Sequence, residues 1–215
     1  MIRRLLSVAA FAIVFVVAAP SSGPARAQPP PAAPISAEDQ ALADKAVAYL
    51  EGLDQMRGRF AQIDSKGQAS AGVFYLDRPN RARLEYDPPS DLLIVCDGSQ
   101  VLIHDKRLNT FENYPLDATP LSLFLAAKVR FEPGMVEAVE RQPGGFAITI
   151  RDDRHTPQGR IALTFSDAPM TLKQWSIVDS KGQRTTVSLT ELQPATGLDP
   201  GLFVLRDTRL PSPIR

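Results

Sequence analysis

The stretch FYLDRPNRARLEY, residues 74–86, decides the fold class because it holds two alternating runs joined by a turn signal. In the first run, Phe74 and Leu76 fall on one side of an extended chain. In the second run, Leu84 and Tyr86 do the same, and a Pro-Asn pair lies between the runs. Side chains of a strand alternate between faces with a period of two, and Pro-Asn favours a turn. The stretch therefore predicts a β-hairpin with one apolar face.

The same period continues along most of the chain. Strands are expected near residues 57–64, 70–77, 81–87, 91–97, 100–105, 109–114, 136–141, 145–152, 159–166, 171–179 and 184–193. The links between them are of hairpin length, so the strands should form an antiparallel meander. The run 92–96 is apolar at every position, whereas a sheet with one wet face should alternate. Part of the second face of the sheet therefore needs cover.

Two helices interrupt the strand pattern. Ser36 is the expected N-cap of the first, and apolar residues recur from Leu42 to Leu53 at spacings of three and four. The second is a short piece over residues 121–125, with Thr119 as its expected cap and Pro120 in its first turn. A single helical turn is expected again near residues 198–205.

These elements predict a mainly β fold of about 11 strands with two helices. Two helices are few for covering so wide a sheet. A curved sheet with helices over its mouth could enclose an apolar cavity, and a fully packed sandwich or barrel core fits the same pattern.

The first residues have the organisation of a secretory signal peptide. Arg3 and Arg4 precede an apolar run over residues 5–19, and Ala25-Arg26-Ala27 has the small-residue pattern of a cleavage site. A membrane anchor would need about 20 apolar residues. We therefore expect a signal peptide over residues 1–27, a flexible Pro/Ala tail over 28–35 and one domain over 36–215.

Composition and motifs argue against several function classes. The formal net charge is zero, so there is no basic footprint for nucleic acid. One cysteine gives neither a disulfide framework nor a Cys-rich zinc site. The two histidines, His104 and His155, have no nucleophile elbow or triad pattern near them. No cofactor, metal or catalytic residue is expected.

Several motifs in a fixed order resemble one known family, that of the outer-membrane lipoprotein carrier LolA. The core motif is a strand that ends in Arg78-Pro79 and is followed by an Arg-x-x-Tyr strand, then by Pro88 and Asp97-Gly98. Further matches are Phe60-Ala61-Gln62, Thr119-Pro120, and Leu198-Asp199 with Phe203. The resemblance spans residues 36–205. It departs from the family pattern at Leu84 and His104, where an aromatic residue is usual.

The resemblance implies an open, incomplete antiparallel β-barrel whose concave hydrophobic cavity is covered by helices and loops. It implies a periplasmic carrier that binds the acyl chains of lipoproteins and delivers them to the outer membrane. An inner-membrane ABC-type lipoprotein-releasing complex would supply the cargo. An outer-membrane receptor lipoprotein, or the outer membrane directly, would accept it. A monomer suits such a shuttle.

The expected site residues follow from the same resemblance. Arg78 shares the strand face of Phe74, and the matching family arginine contacts the backbone of the covering helix and loop, so we expect Arg78 to close the lid. The expected lid residues are Leu121, Phe124 and Leu125. The expected cavity residues are Phe60, Phe74, Leu84, Tyr86, Leu93 and Val95. On the strand over residues 92–96, Leu92 and Ile94 fit the cavity face equally well, so the sequence leaves the face of this strand open.

Two alternatives remain open from sequence. A carrier or sensor of another lipid or glycolipid could share the fold, and a periplasmic hydrolase is the alternative from another class, weakened by the missing triad. A receptor-type lipoprotein of the same fold would need an acylation cysteine, which the cleavage site lacks.

Overall fold

The computed structural model describes residues 35–132, 134–151, 159–179 and 181–206. All of them lie within one compact unit. The expected signal peptide and residues 28–34 of the expected tail lie outside the described residues. None of the described helices has the length and apolarity needed to cross a bilayer.

The described elements follow the order predicted from sequence. The helices are α1 (Ala37–Glu51) and α2 (Ser122–Leu125), and two short 3₁₀ turns cover Leu116–Ala118 and Pro200–Phe203. The strands are β1 (Gln55–Ile63), β2 (Ala69–Asp77), β3 (Arg81–Tyr86), β4 (Leu92–Asp97), β5 (Gln100–Asp105), β6 (Thr110–Pro115), β7 (Val136–Gln142), β8 (Gly145–Arg151), β9 (Gly159–Asp167), β10 (Met170–Asp179) and β11 (Arg184–Pro194).

All eleven strands belong to one antiparallel sheet. Its order is β6-β5-β4-β3-β2-β1-β11-β10-β9-β8-β7, so β1 and β11 meet at the centre and β6 and β7 form the two edges. The sheet is open between these edges, and the connection from β6 to β7 contains α2. The prediction of a mainly β, open antiparallel sheet of 11 strands with two helices is confirmed.

One face of the sheet is apolar from β5 to β7, and the sheet curls around it. The rings of Phe74 on β2 and Trp175 on β10 lie 5.8 Å apart, centroid to centroid. Three strand spacings separate β2 from β10, which is about 14 Å in a flat sheet. The two rings can meet only if the sheet bends towards them. We call this the concave face and the other the convex face.

Helix α1 lies against the concave face. The Ser36 hydroxyl accepts the backbone N–H of Asp39 at 3.1 Å, which confirms Ser36 as the N-cap. Ala43, Ala46 and Leu50 recur at spacings of three and four and are fully buried in the main core. The apolar stripe therefore fixes which side of α1 meets the sheet.

A glycine in the central hairpin makes room for two aromatic rings. Gly72 on β2 pairs with Phe60 on β1 and with Tyr86 on β3, so all three share the concave face. The rings of Phe60 and Tyr86 meet edge to face, with centroids 4.9 Å apart. A Cβ atom at Gly72 would lie 2.7 Å from the Phe60 ring and would collide with the Glu85 carbonyl oxygen. The glycine is required by close packing.

Gly72→Ala should lower the free energy of unfolding by about 3 kcal/mol, since the added methyl group overpacks this contact. Gly52→Ala is the matched control, because a Cβ there would meet only ordinary contacts of 3.4 Å and 3.5 Å. Urea unfolding of both variants measures the difference. Equal stability of the two variants would contradict the packing argument.

Candidate functional site

Arg78 lies in the turn between β2 and β3, and its guanidinium group is buried. Its Nη1 donates to the carbonyl oxygens of Leu50, at 2.5 Å, and Phe124, at 2.9 Å. Its Nη2 donates to the carbonyl oxygen of Ala126 at 2.5 Å. Leu50 lies in the last turn of α1, and the other two carbonyls lie at the end of α2. One side chain thus connects both helices to the sheet.

The end of α1 explains why a buried cation is stable here. Helix α1 has no basic residue in its last turn, and the carbonyl groups at a helix C-terminus attract positive charge. Burial lowers the pKa of Arg78 from its ordinary value, and the negative charge of Glu51 acts in the opposite direction. A guanidinium group nevertheless stays protonated in proteins. The buried charge is therefore stable only while its carbonyl partners surround it.

The short helix α2 covers the concave face. We call residues 121–126 the lid. Leu121 is half-buried and packs against the main core, while Phe124 and Leu125 are buried within it. The backbone N–H of Asn80 donates to the Leu125 carbonyl at 2.8 Å, next to the bonds of Arg78. Residues 121–126 are therefore both packed against the sheet and hydrogen-bonded to the β2–β3 turn.

The lid helix begins later than the sequence predicted. Helix α2 begins at Ser122 with Leu121 at its N-cap position. The Thr119 hydroxyl donates to the Leu116 carbonyl at 2.8 Å and so ends the preceding 3₁₀ turn. The prediction that Thr119 caps the lid helix was wrong, because its hydroxyl bonds to the preceding turn and no side chain caps α2.

An aromatic cluster lies between the lid and the sheet. The Trp175 ring is 5.6 Å from that of Phe124 in the lid and 5.8 Å from that of Phe74 on β2. Trp175 is buried in the main core and its ring also contacts the lid. Its strand gave no signal for this, because contact with the lid depends on the curl of the sheet.

Four of the six expected cavity residues share the concave face. Phe60, Phe74, Leu84 and Tyr86 are all buried in the main core cluster. Tyr86 also donates its hydroxyl to the Gln62 side chain at 2.7 Å. The structure therefore brings these four residues together with the lid and Arg78.

The other two residues, Leu93 and Val95, were placed on the wrong face. The register pairs Leu93 with Glu85 and Val95 with Arg83, and directly paired residues point to the same face. Both side chains therefore lie on the convex face. Ile94 takes the concave position, opposite Leu84. Alternation could not predict the face of these side chains, because the strand is apolar on both faces.

The C-terminal segment covers this part of the convex face. We call residues 195–203 the strap. Its 3₁₀ turn contacts β3 and β4 and buries Phe203, which like Leu93 and Val95 lies outside the main core cluster. Arg83 donates to the Leu202 carbonyl at 3.0 Å and pairs with Glu85 at 2.9 Å. The strap shields the Arg83–Glu85 ion pair, since the Arg83 side chain is only 14% exposed.

Comparison with known proteins agrees with this arrangement. A family model described as outer membrane lipoprotein carrier protein LolA matches residues 51–206. The chain belongs to the LolA family. The match includes the sheet, the lid, Arg78 and the strap. Membership assigns the chain to a carrier family rather than to a class of enzymes.

Curated relatives carry the same description. An outer-membrane lipoprotein carrier protein of Leptothrix cholodnii is 38% identical over 154 residues, covering 67% of this chain and 72% of the relative. One from Alkalilimnicola ehrlichii is 26% identical over 179 residues, covering 79% and 82%. One from Methylibium petroleiphilum is 27% identical over 165 residues, covering 68% and 80%.

Solved structures are more distant from this LolA family member. A LolA superfamily protein from Nitrosomonas europaea has a TM-score of 0.42 and 10% identity, covering 76% of this chain and 98% of that one. An uncharacterised conserved protein from Thermus thermophilus has a TM-score of 0.47 and 13% identity, covering 80% and 96%.

Two titratable groups of the concave face should make stability depend on alkaline pH. Burial raises the pKa of Tyr86 to about 12, against a smaller opposing effect of its hydrogen bond to Gln62. Burial, with the nearby charge of Asp97, raises the pKa of Cys96 to about 12. The ordinary values are 10.0 and 9.0, so the unfolded chain loses these protons first.

We expect the free energy of unfolding to fall as the pH rises from about 9 to about 12, because both folded-state pKa values are raised. Tyr86→Phe removes the hydrogen bond and should lower the free energy of unfolding by about 1 kcal/mol at neutral pH. Above pH 10, the free energy of unfolding of this variant should fall less steeply than that of the parent chain. Urea unfolding at several pH values measures both effects. Parallel pH profiles for the two proteins would show that Tyr86 does not carry the dependence.

Proposed function

We propose that the chain is a periplasmic carrier that holds the acyl chains of outer-membrane lipoproteins between its concave face and its lid. The observation that supports this most directly is the buried Arg78, which closes the lid over a continuous apolar face through three backbone carbonyls. An ordinary packed core needs no charged group at its cover. A cover that must open and close needs polar contacts that can be broken and formed again.

The energy of acyl transfer explains why such a carrier is needed. Each buried methylene group contributes about 0.8 kcal/mol, so a chain of roughly fourteen carbons contributes about 10 kcal/mol. A lipoprotein with about three such chains would pay on the order of 30 kcal/mol to cross water unaided. Spontaneous transfer is negligible at that cost. A soluble carrier must therefore offer comparable apolar surface.

The closed lid can yield to cargo of this energy. Hydrogen bonds to a charged group contribute about 1.5–3 kcal/mol each, so the three bonds of Arg78 contribute roughly 5–9 kcal/mol at most. One acyl chain entering beneath the lid releases about as much. The free energy gained by loading one acyl chain is then close to the free energy of the bonds that close the lid. A carrier with such a balance can both take up and release its cargo.

The partners follow from the same proposal. Acylated lipoproteins are the cargo, an inner-membrane ABC-type complex supplies them, and an outer-membrane receptor lipoprotein or the outer membrane itself accepts them. Residues 1–27 would direct the chain to the periplasm as a cleaved signal peptide. Residues 28–35 would then form a tail before the single domain, 36–215.

Mass spectrometry of the chain purified from periplasm tests the identity of the cargo. The proposal predicts co-purified acylated protein. Phospholipid or glycolipid alone would contradict it and would favour a carrier of another lipid on the same fold.

A matched pair of substitutions tests which face binds acyl chains. Leu84 and Leu93 are 7% and 5% exposed, on the concave and convex faces respectively. Leu84→Gln and Leu93→Gln should each destabilise the fold by about 2–3 kcal/mol, since each buries an amide. Only Leu84→Gln should weaken loading of an acylated peptide, measured by titration at a temperature where both variants are folded. Equal loss of loading in both would contradict a concave binding face.

Arg78→Leu should still fold and load lipid but should release it poorly, because the closed, empty state loses its three carbonyl bonds and so its advantage over the loaded state. Transfer of a labelled lipoprotein to acceptor vesicles measures release. Arg184→Leu is the control, since Arg184 is exposed at the start of β11. Normal delivery by Arg78→Leu would remove Arg78 from the mechanism.

A further inference from the structure

The turn between β2 and β3 has contacts on both faces of the sheet. Towards the concave face, Arg78 and Asn80 bond to the lid. Towards the convex face, Arg81 pairs with Asp77 at 2.5 Å, and its guanidinium carbon lies 5.6 Å from the centre of the Phe203 ring in the strap. Through three of its residues, the turn over residues 77–81 therefore contacts two segments that lie far apart in sequence.

A second set of contacts fixes the strap to the same place. The Gln55 side chain donates to the Asp77 carboxylate at 3.2 Å and accepts the backbone N–H of Leu198 at 3.1 Å. The Gln55 carbonyl accepts the backbone N–H of Ala195 at 2.8 Å. The strap is thus hydrogen-bonded to a residue that is itself bonded to the turn.

The position of the turn depends on the partners of the Asp77 carboxylate. Its side chain is only 6% exposed, and a buried carboxylate is stable only with its ion-pair and hydrogen-bond partners in place. Arg81 is the ion-pair partner, and its other contact is the ring of Phe203. A change in the position of Phe203 therefore acts on Arg81 first and on Asp77 next.

The bonds of Arg78 need the turn to be in one position. Its guanidinium must reach three carbonyls on two helices at once, and hydrogen bonds weaken steeply with distance and angle. Asn80 suits this turn, since its φ of 64° lies in the left-handed region, which asparagine adopts more readily than most residues. A small displacement of the turn would break several bonds to the lid together.

We propose that the strap is a positioning element for the lid: Phe203, through Arg81 and Asp77, holds the β2–β3 turn where Arg78 can close the lid. The proposal rests on the closing role of Arg78 proposed above. Contacts on the convex face would then determine how firmly the lid closes over the concave face. Loosening the strap then favours the open lid without any change in a residue that touches the lid.

Two signals report on the lid directly. Trp175 is the only tryptophan of the chain and contacts Phe124, so quenching of its fluorescence by acrylamide measures lid opening. The Asn80 amide donates to the Leu125 carbonyl, so its hydrogen exchange measures the same event from the side of the turn. Both are recorded on the cargo-free chain.

Phe203→Leu keeps an apolar side chain and removes the ring face beneath Arg81. We expect lid opening to rise roughly 2- to 5-fold by both signals, which is the effect of losing one partly exposed cation–π contact. Leu102→Ala is the control, since Leu102 is buried on the same convex face and pairs with Val95 on β4, away from the turn. It should lower the urea midpoint without opening the lid.

Combining Phe203→Leu with Arg78→Leu shows whether the strap acts on the lid through Arg78 or whether Phe203→Leu destabilises the whole domain. If the strap acts through Arg78, Phe203→Leu adds no further opening once Arg78 is Leu. Additive effects, or equal opening in Leu102→Ala, would overturn the proposal while leaving the role of Arg78 intact. If Arg78→Leu alone opens nothing, both the closing role of Arg78 and the role of the strap are contradicted.

Discussion

The structure depends on placing one positive charge among apolar groups and satisfying it with backbone carbonyls. Arg78 meets this need by joining the last turn of α1 to the end of the lid. The charge cannot be neutralised, so its partners must stay or the site must open. Three charge-assisted bonds of roughly 5–9 kcal/mol in total are close to the value of one buried acyl chain. Under the proposed function, that near equality would let the lid stay closed on the empty carrier and open when cargo arrives.

Different segments cover the two faces of the sheet. The concave face is apolar from β5 to β7 and is covered by α1 and the lid, whereas the convex face is covered over β3 and β4 by the strap. Strand β4 serves both faces, which explains why residues 92–96 are all apolar. The turn at residues 77–81 lies where the two covers approach the same strands. A single hairpin thus organises the lid on one side and the C-terminus on the other.

Much of the fold could be predicted from local patterns. Period-two alternation and turn signals predicted most of the strands, the apolar run over residues 92–96 predicted β4, and Ser36 predicted the start of α1. Local chemistry is reliable here: the five residues DSKGQ occur at 64–68 and at 179–183, and in both places the Asp carboxylate accepts the backbone N–H groups of the Lys and the Gln at 2.8 Å. The misplacement of Leu93 and Val95 has the opposite cause. Their face is set by pairing with β3 and by cover from the strap, and neither is visible in a run without alternation. Trp175 was missed as a lid contact for a similar reason, since only the curl of the sheet brings β10 to the lid.

If the chain carries lipoproteins as proposed, acyl chains occupy the space between the lid and the concave face. The sole tryptophan, Trp175, lies there between Phe124 and Phe74, and bromine atoms quench tryptophan only at contact distance. The most direct measurement is therefore the emission of Trp175 during titration with a lipopeptide whose acyl chains carry bromine at mid-chain, with the unbrominated lipopeptide as reference. We expect strong quenching by the brominated lipopeptide alone. Binding of both lipopeptides with equal affinity and no difference in emission would contradict it.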